Sequence, residues 1–129
     1  MKKFICHLLV LPAALFLGII TANAKVLNNA EINTLVSGKV IFLKIPFGGE
    51  FPLRYSTDGT VKGDGSGVGL GKYLAPKDEG RWWVVNNQLC QKWQEWYKGK
   101  KTCFLISNLD GKKFRWLRND GKKGSGRVK

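Results

Sequence analysis

Downstream of residue 24 the chain contains no histidine and no methionine, and its only cysteines there are Cys90 and Cys103. The lack of histidine excludes Ser-His-Asp and Cys-His nucleophile arrangements, an imidazole general base and histidine-ligated zinc or haem. Thiolate metal sites are excluded as well if the two cysteines form a disulfide. We therefore expect no metal, no cofactor and no enzymatic activity.

Acidic residues are also scarce, with 9 of them against 22 lysines and arginines. A glycosidase-like mechanism that uses only carboxylates needs two of them at a defined separation. The spacing along the chain singles out no such pair, and a solvated surface charge explains each candidate. The candidates are Glu50, Asp64, Asp78, Glu79 and Glu95.

The first 24 residues have the pattern of a cleavable signal peptide. Lys2 and Lys3 form a positive start, and residues 4–20 are almost wholly apolar. Ala22-Asn23-Ala24 then offers small side chains at the positions that a signal peptidase reads. The pattern predicts cleavage between Ala24 and Lys25.

A retained membrane anchor is the alternative to cleavage. The apolar run is short for about 30 Å of hydrocarbon, and Pro12 interrupts it. We therefore expect residues 1–24 to be removed and residues 25–129 to form a single β domain, which has the length of one domain. This domain would be periplasmic or secreted and would have no transmembrane anchor.

The charge of the domain points to anionic partners. Without Lys2 and Lys3, 20 of the 22 basic residues remain against 9 acidic ones, a net charge of +11. Such a charge attracts envelope polysaccharide, lipid head groups or an acidic protein, and it attracts nucleic acid without specificity. We expect a monomer.

The two remaining cysteines predict a disulfide. Cys90 and Cys103 are an even pair, and the signal peptide sends the chain to an oxidising compartment, where such pairs are usually bonded. Two free, buried thiols are the alternative.

A short helix is predicted at the start of the domain. Asn28 or Asn29 can cap it, Glu31 suits its first turn, and Gly38 stands where a helix of about two turns would end.

Strands are predicted after the helix. Apolar and β-branched runs occupy residues 40–45, 51–56, 81–85, 88–96, 103–106 and 113–117. Asp-Gly pairs at 58–59, 110–111 and 120–121 are hairpin signals. The sequence predicts a mainly β fold, a small antiparallel meander or up-and-down barrel of about seven to eight strands with one short N-terminal helix. Whether the sheet closes stays open.

Three segments allow more than one interpretation. Residues 88–96 also fit the spacing of a helical turn. Residues 122–129 are either a last strand or a basic tail, and their composition favours a mobile tail. The glycine run at 63–71 matches neither the phosphate loop nor the dinucleotide fingerprint. We interpret it as a flexible connection, with the further hypothesis that it folds over a ligand at the barrel mouth.

Five tryptophans and many cations suggest a binding surface. Trp82 and Trp83 are adjacent, so in a strand one of them points outward. Most tryptophans are expected in the core, but exposed rings beside cations suit sugars or stacked bases. The predicted ligand-binding residues are Trp82, Trp83, Trp96, Trp116, Arg81, Lys92, Arg115 and Arg118.

A set of spaced residues runs through nearly the whole domain. They are Ala30-Glu31 with Leu35 and Gly38-Lys39, Tyr55 with Asp58-Gly59-Thr60-Val61 and Gly63, Gly80 with Trp82, Leu89-Cys90 with Trp93, Cys103, and Asp120-Gly121. This order resembles a family of small periplasmic bacterial proteins, the domain of unknown function 995. The resemblance implies export and an extracytoplasmic domain, and it carries over no catalytic residue. The doubled Trp82-Trp83 and the basic end depart from the family pattern.

Two classes of function follow from these observations. The first is a non-catalytic periplasmic or secreted binding module that recognises an anionic envelope component through basic residues and rim tryptophans. The alternative is a protein-interaction module, such as an inhibitor of a hydrolase or a secreted effector. A structural envelope component without a small ligand is a third possibility. Salt separates the first two, because polyanion binding weakens steeply with salt and a packed protein interface weakens much less.

Overall fold

The computed structural model describes residue 18 and residues 24–46, 48–66 and 76–129. The predicted signal peptide, apart from Gly18 and Ala24, lies outside the described residues, and so does most of the glycine run. No helix within the described part of the chain is long and apolar enough to cross a bilayer.

The described residues form nine strands, one α-helix and one short helical turn. In chain order they are β1 (Lys25–Val26), α1 (Asn29–Val36), β2 (Lys39–Lys44), β3 (Glu50–Tyr55), β4 (Thr60–Asp64), β5 (Lys77–Val85), β6 (Gln88–Trp93), the turn Trp96–Gly99, β7 (Thr102–Asp110), β8 (Lys113–Arg118) and β9 (Lys123–Val128).

The strands form a closed up-and-down barrel. Each strand from β2 to β8 pairs in antiparallel fashion with the next one, and β9 pairs with β2 to complete a ring of eight. β1 is an extra strand that pairs with Ser107 and Asn108 of β7. The prediction of a mainly β fold with one short helix is confirmed, and the structure decides for a closed barrel.

Helix α1 covers one end of the barrel, which we call the helix end. Its N-cap is Asn28, whose side chain accepts from the Glu31 backbone N–H at 2.9 Å, while the Glu31 carboxylate accepts from the Asn28 N–H at 3.2 Å. The chain leaves the helix through Gly38, whose φ of +72° suits glycine. Ile32 and Val36 are buried against the barrel, so the helix seals this end.

The opposite end, which we call the loop end, carries the β2–β3, β4–β5, β6–β7 and β8–β9 connections. The buried side chain of Trp96 fills the barrel at this end. Its ring centroid lies 4.6 Å from that of Trp93 and 5.4 Å from that of Phe51. A Cβ on Gly63 would stand 2.5 Å from the Trp96 ring. Gly63 is therefore a strand residue whose missing side chain leaves room for Trp96, and not part of a flexible connection.

The barrel interior is filled by side chains. Tyr55 donates a buried hydrogen bond of 2.8 Å to Gln91 Oε1, and its ring packs edge-on against Trp82. The interior cavity among the described residues has a volume of about 30 Å³. That is room for one or two water molecules, whereas small-molecule pockets usually exceed about 300 Å³. Among the described residues the barrel interior therefore has no room for a ligand of ordinary size.

The predicted disulfide is confirmed. Cys90 on β6 and Cys103 on β7 stand directly opposite each other, and the bond joins them across the two strands. The alternative of two free thiols is therefore excluded.

The prediction of a mobile C-terminal tail is wrong, because Lys123–Val128 is the strand that closes the barrel. Its two glycines made the composition resemble that of a mobile segment, but they have a packing role in the strand. A Cβ on Gly124 would stand 2.5 Å from the Trp116 ring, and one on Gly126 would stand 2.7 Å from the Phe114 ring. The glycines therefore let two aromatic rings of β8 pack across β9.

Candidate functional site

Only one of the five tryptophans faces away from the barrel interior. Trp82, Trp93 and Trp96 are buried in the core, and Trp116 packs against it with its ring edge-on to Phe104 at 5.6 Å. Trp83 follows Trp82 in an extended strand, so it points to the other face of the sheet. Of the four tryptophans predicted for the site, Trp83 is thus the one that can offer its ring to a ligand.

Two predicted cations lie beside Trp83 on the outer wall. Arg81 is two residues earlier on β5 and therefore on the same face. Lys92 of β6 stands directly opposite Arg81, and Cys90 stands opposite Trp83. Directly opposed side chains are about 5 Å apart at Cβ. We call Arg81, Trp83 and Lys92 together the Trp83 wall.

Two open surface grooves meet at this wall. One, of about 610 Å³, runs towards the helix end and includes Asn29 and Thr57 in its lining. The other, of about 500 Å³, includes Lys92 and Gly99. Arg81 and Trp83 line both grooves, so they form the ridge between them. An extended ligand that occupied both grooves would cross this ridge and contact the Trp83 ring.

The cations of the wall are free to meet an anion. Among the described residues neither Arg81 nor Lys92 has an ion pair within 4.0 Å, and nearby Glu79 pairs with Lys62 at 3.9 Å. Asp58 lies in the adjacent turn, where hydrogen bonds from Thr60 lower its pKa, with a smaller contribution from the charge of Arg81. Arg81 is thus near one carboxylate but not bound to it.

The other two predicted arginines do not join the wall. Arg118 points inward at the loop end, and its Nε and Nη2 donate to the two carboxylate oxygens of Asp120 at 2.8 and 2.6 Å. Its guanidinium also lies 5.0 Å from the ring centroid of Tyr97. Arg115 is exposed, but it lies on β8, three strands away from β5. Arg118 is therefore a structural residue, and Arg115 belongs to a different surface.

Four of the five candidate catalytic carboxylates have structural partners, whereas the Glu95 side chain has no ion pair among the described residues. Asp78 accepts from the backbone N–H groups of Glu95 and Trp96 at 2.9 and 2.8 Å. Three further carboxylates have side-chain or backbone partners: Glu50 pairs with Arg127, Asp64 contacts Ser66 and Lys77, and Glu79 pairs with Lys62. Within the described part of the chain no three residues of the kinds that bind metals come together. The Trp83 wall itself consists of one aromatic ring and two cations.

A left-handed turn follows β6, where the sequence allowed either a strand or a helical turn. β6 ends at Trp93, and Tyr97, Lys98 and Gly99 then have φ values of 54°, 55° and 67°. Glycine adopts this region readily, but other residues do so rarely. The sequence signal was Gly99 alone, which could not show that two residues before it are left-handed as well.

The ion pair between Arg118 and Asp120 makes the stability of the fold depend on pH in the acidic range. Hydrogen bonding from Arg118 is the main cause that lowers the Asp120 pKa from 3.8 to about 2. A lowered pKa stabilises the fold above the unfolded value, and that stabilisation is lost as the pH falls through about 2. We expect Asp120→Asn to have a lower urea midpoint than the wild type at pH 6. The difference between the two midpoints should disappear as the pH falls from about 4 to about 2.

Asp110→Asn is the matched control, because Asp110 occupies the other turn of β8 and has no hydrogen bond or ion pair from its side chain among the described residues. Its urea midpoint should follow that of the wild type across the same pH range. A gap between Asp120→Asn and wild type that is constant with pH would contradict the assignment.

The chain matches no family model, and searches of curated proteins and of solved structures find no similar protein. The resemblance to the domain of unknown function 995 stays a prediction.

Proposed function

We propose that the domain is a non-catalytic periplasmic or secreted binding module that recognises an anionic polymer of the cell envelope at the Trp83 wall. The observation that carries the proposal is the single outward tryptophan, which lies beside two cations without ion pairs on the ridge between two open grooves. The filled interior supports the same conclusion, since it leaves the outer surface for binding.

The chemistry of the wall favours an acidic polysaccharide. The half-buried Trp83 indole on the outer wall offers part of a flat apolar surface on which the apolar face of a sugar ring can stack. Arg81 presents a planar guanidinium that can hold a carboxylate or phosphate with two hydrogen bonds, and Lys92 adds a point charge. The net charge of +11 over residues 25–129 draws a polyanion to the surface before these contacts form.

Binding of purified peptidoglycan and lipopolysaccharide, followed by tryptophan fluorescence across a salt series, tests the proposal. We expect Trp83→Ala to weaken binding by at least about tenfold, because a central tryptophan is a typical hot-spot residue. Arg81→Gln should weaken binding as well and should reduce its salt dependence. Arg115→Gln, with the same loss of charge on a distant strand, should bind as the wild type does.

Three results would overturn the proposal. The first is equal weakening by Arg81→Gln and Arg115→Gln, which would show that only net charge matters. The second is binding that moderate salt abolishes for every polymer alike. The third is tight, salt-resistant binding of an acidic protein with no binding of either polymer, which would favour the protein-interaction module instead.

A further inference from the structure

The loop end carries a concentration of lysines without ion pairs. In an up-and-down barrel the connections β2–β3, β4–β5, β6–β7 and β8–β9 share one end. Six lysines on the described residues of these connections and the adjoining strand ends have no ion pair there. They are Lys44, Lys98, Lys100, Lys101, Lys122 and Lys123.

The acidic residues at the same end do not neutralise these lysines. Glu50 and Asp120 pair with arginines, and Asp64 pairs with Lys77 at 3.7 Å. Asp78 accepts hydrogen bonds from the backbone N–H groups of Glu79, Glu95 and Trp96. Among the described carboxylates of the loop end, only Asp78 and Glu95 are without an ion pair. The end therefore presents a strong positive charge to the surroundings.

The left-handed turn holds an aromatic ring among these lysines. Tyr97 is 45% exposed, although its ring also faces the guanidinium of Arg118. The turn is closed by hydrogen bonds from Lys98 N to Glu95 O at 3.0 Å and from Lys100 N to Tyr97 O at 3.1 Å. Residues in rare backbone conformations persist where their surroundings hold them, and they cluster at ligand-binding sites. Tyr97 is thus kept in an exposed position by a specific backbone structure.

We propose that the loop end docks on the surface of a bilayer with anionic head groups, with Tyr97 at the level of the head groups and the lysines around it. Tyrosine is enriched at membrane interfaces because its ring is apolar and its hydroxyl is polar. Lysines near an anionic bilayer each add to the attraction. Pro46 in the β2–β3 connection is also exposed at this end and adds apolar surface.

The kind of cation favours a lipid surface over a nucleic acid. Arginine is the preferred residue for nucleic-acid phosphates, because its fork donates two hydrogen bonds at once. The one arginine described at the end of a loop-end strand, Arg118, is 10% exposed in its side chain and is held by Asp120. The other cations of the loop end are lysines, whose point charges on flexible stems can meet anionic head groups in many positions. This site does not depend on the Trp83 wall, which lies on the side of the barrel.

Sedimentation of the purified protein with phosphatidylcholine vesicles, with and without phosphatidylglycerol, tests this docking. We expect binding only when phosphatidylglycerol is present. The triple variant Lys98→Gln, Lys100→Gln and Lys101→Gln should bind about a hundredfold more weakly. Its matched control is Lys112→Gln, Lys113→Gln and Lys129→Gln, which removes the same charge from exposed lysines at the helix end. The control should lose no more than about threefold through net charge alone.

A second variant separates the ring from the charge. Tyr97→Asn removes the aromatic side chain, and asparagine tolerates the left-handed conformation at this position. We expect weaker vesicle binding with only a slightly lower urea midpoint, because the ring also contacts Arg118. Trp83→Ala should bind vesicles as the wild type does, so a failure at the loop end is distinguishable from a failure at the Trp83 wall.

Failure to bind anionic vesicles would overturn the docking proposal, and so would equal losses in the two triple variants. Unchanged vesicle binding by Tyr97→Asn would contradict the role given to the ring. Tighter binding of duplex DNA than of vesicles, lost in the loop-end triple variant, would replace the bilayer by a nucleic acid.

Discussion

Gly80→Ala is expected to lower the free energy of unfolding by about 3 kcal/mol. Gly80 is buried on β5 opposite Trp93, where β5 and β6 approach closely. A Cβ at this position would stand 2.8 Å from the Trp93 Cα and closer still to the carbonyl oxygen of Lys92. Because the obstacle is backbone, no change of rotamer relieves the clash, and the two strands would have to separate. Urea unfolding followed by circular dichroism measures the effect.

Gly111→Asn is the control for that substitution. Nothing lies within 4 Å of a Cβ built on Gly111, and its φ of +51° is one that asparagine tolerates. Its free energy of unfolding should stay within about 0.5 kcal/mol of the wild type. A similarly small effect of Gly80→Ala would show that β5 and β6 do not approach as closely as described. Their approach matters for function, because these two strands carry Arg81 and Lys92 of the Trp83 wall.

Removal of the disulfide should also lower the free energy of unfolding by about 3 kcal/mol, because the bond closes a loop between residues 13 positions apart. Cys90→Ala with Cys103→Ala is the test, with urea unfolding under oxidising conditions as the measurement. Both cysteines are buried, so the small cavities left behind add to the loss. The variant should still close the barrel, because the disulfide joins β6 and β7 at positions where the strands already pair.

Reduction of the wild type supplies the matched control. A reducing agent should shift the wild-type urea midpoint towards that of the double variant and should leave the variant unchanged. An unchanged wild-type midpoint after complete reduction, verified by thiol titration, would contradict a stabilising role for the bond.

Much of the local structure could be predicted because its causes lie close together along the chain. Asn28 and Glu31 cap a helix within one turn of each other, and the Asp-Gly pairs suit tight turns wherever they occur. The pairing of Cys90 with Cys103 could be predicted from an even cysteine count and from the expectation that the chain is exported. Alternation in a strand likewise predicted that one of Trp82 and Trp83 points outward.

The candidate site could be predicted only in part, because its members are selected by strand register. Arg81, Trp83 and Lys92 meet on one wall because β5 and β6 pair Arg81 with Lys92. A shift of one residue would turn every side chain of a strand to the other face. Composition alone does not distinguish Arg81 and Lys92 from Arg115, which carries the same charge on a different wall.

By itself, then, the sequence determined the fold class, the turns, the helix cap, the disulfide and the excess of positive charge. Tertiary structure decided that Lys123–Val128 closes the barrel, that Arg118 is occupied by Asp120, and that Tyr97 stands exposed at the loop end. The first group follows from neighbours in the chain and from composition. The second depends on which distant side chains meet once eight strands close into a ring, because burial and partners exist only in the assembled barrel.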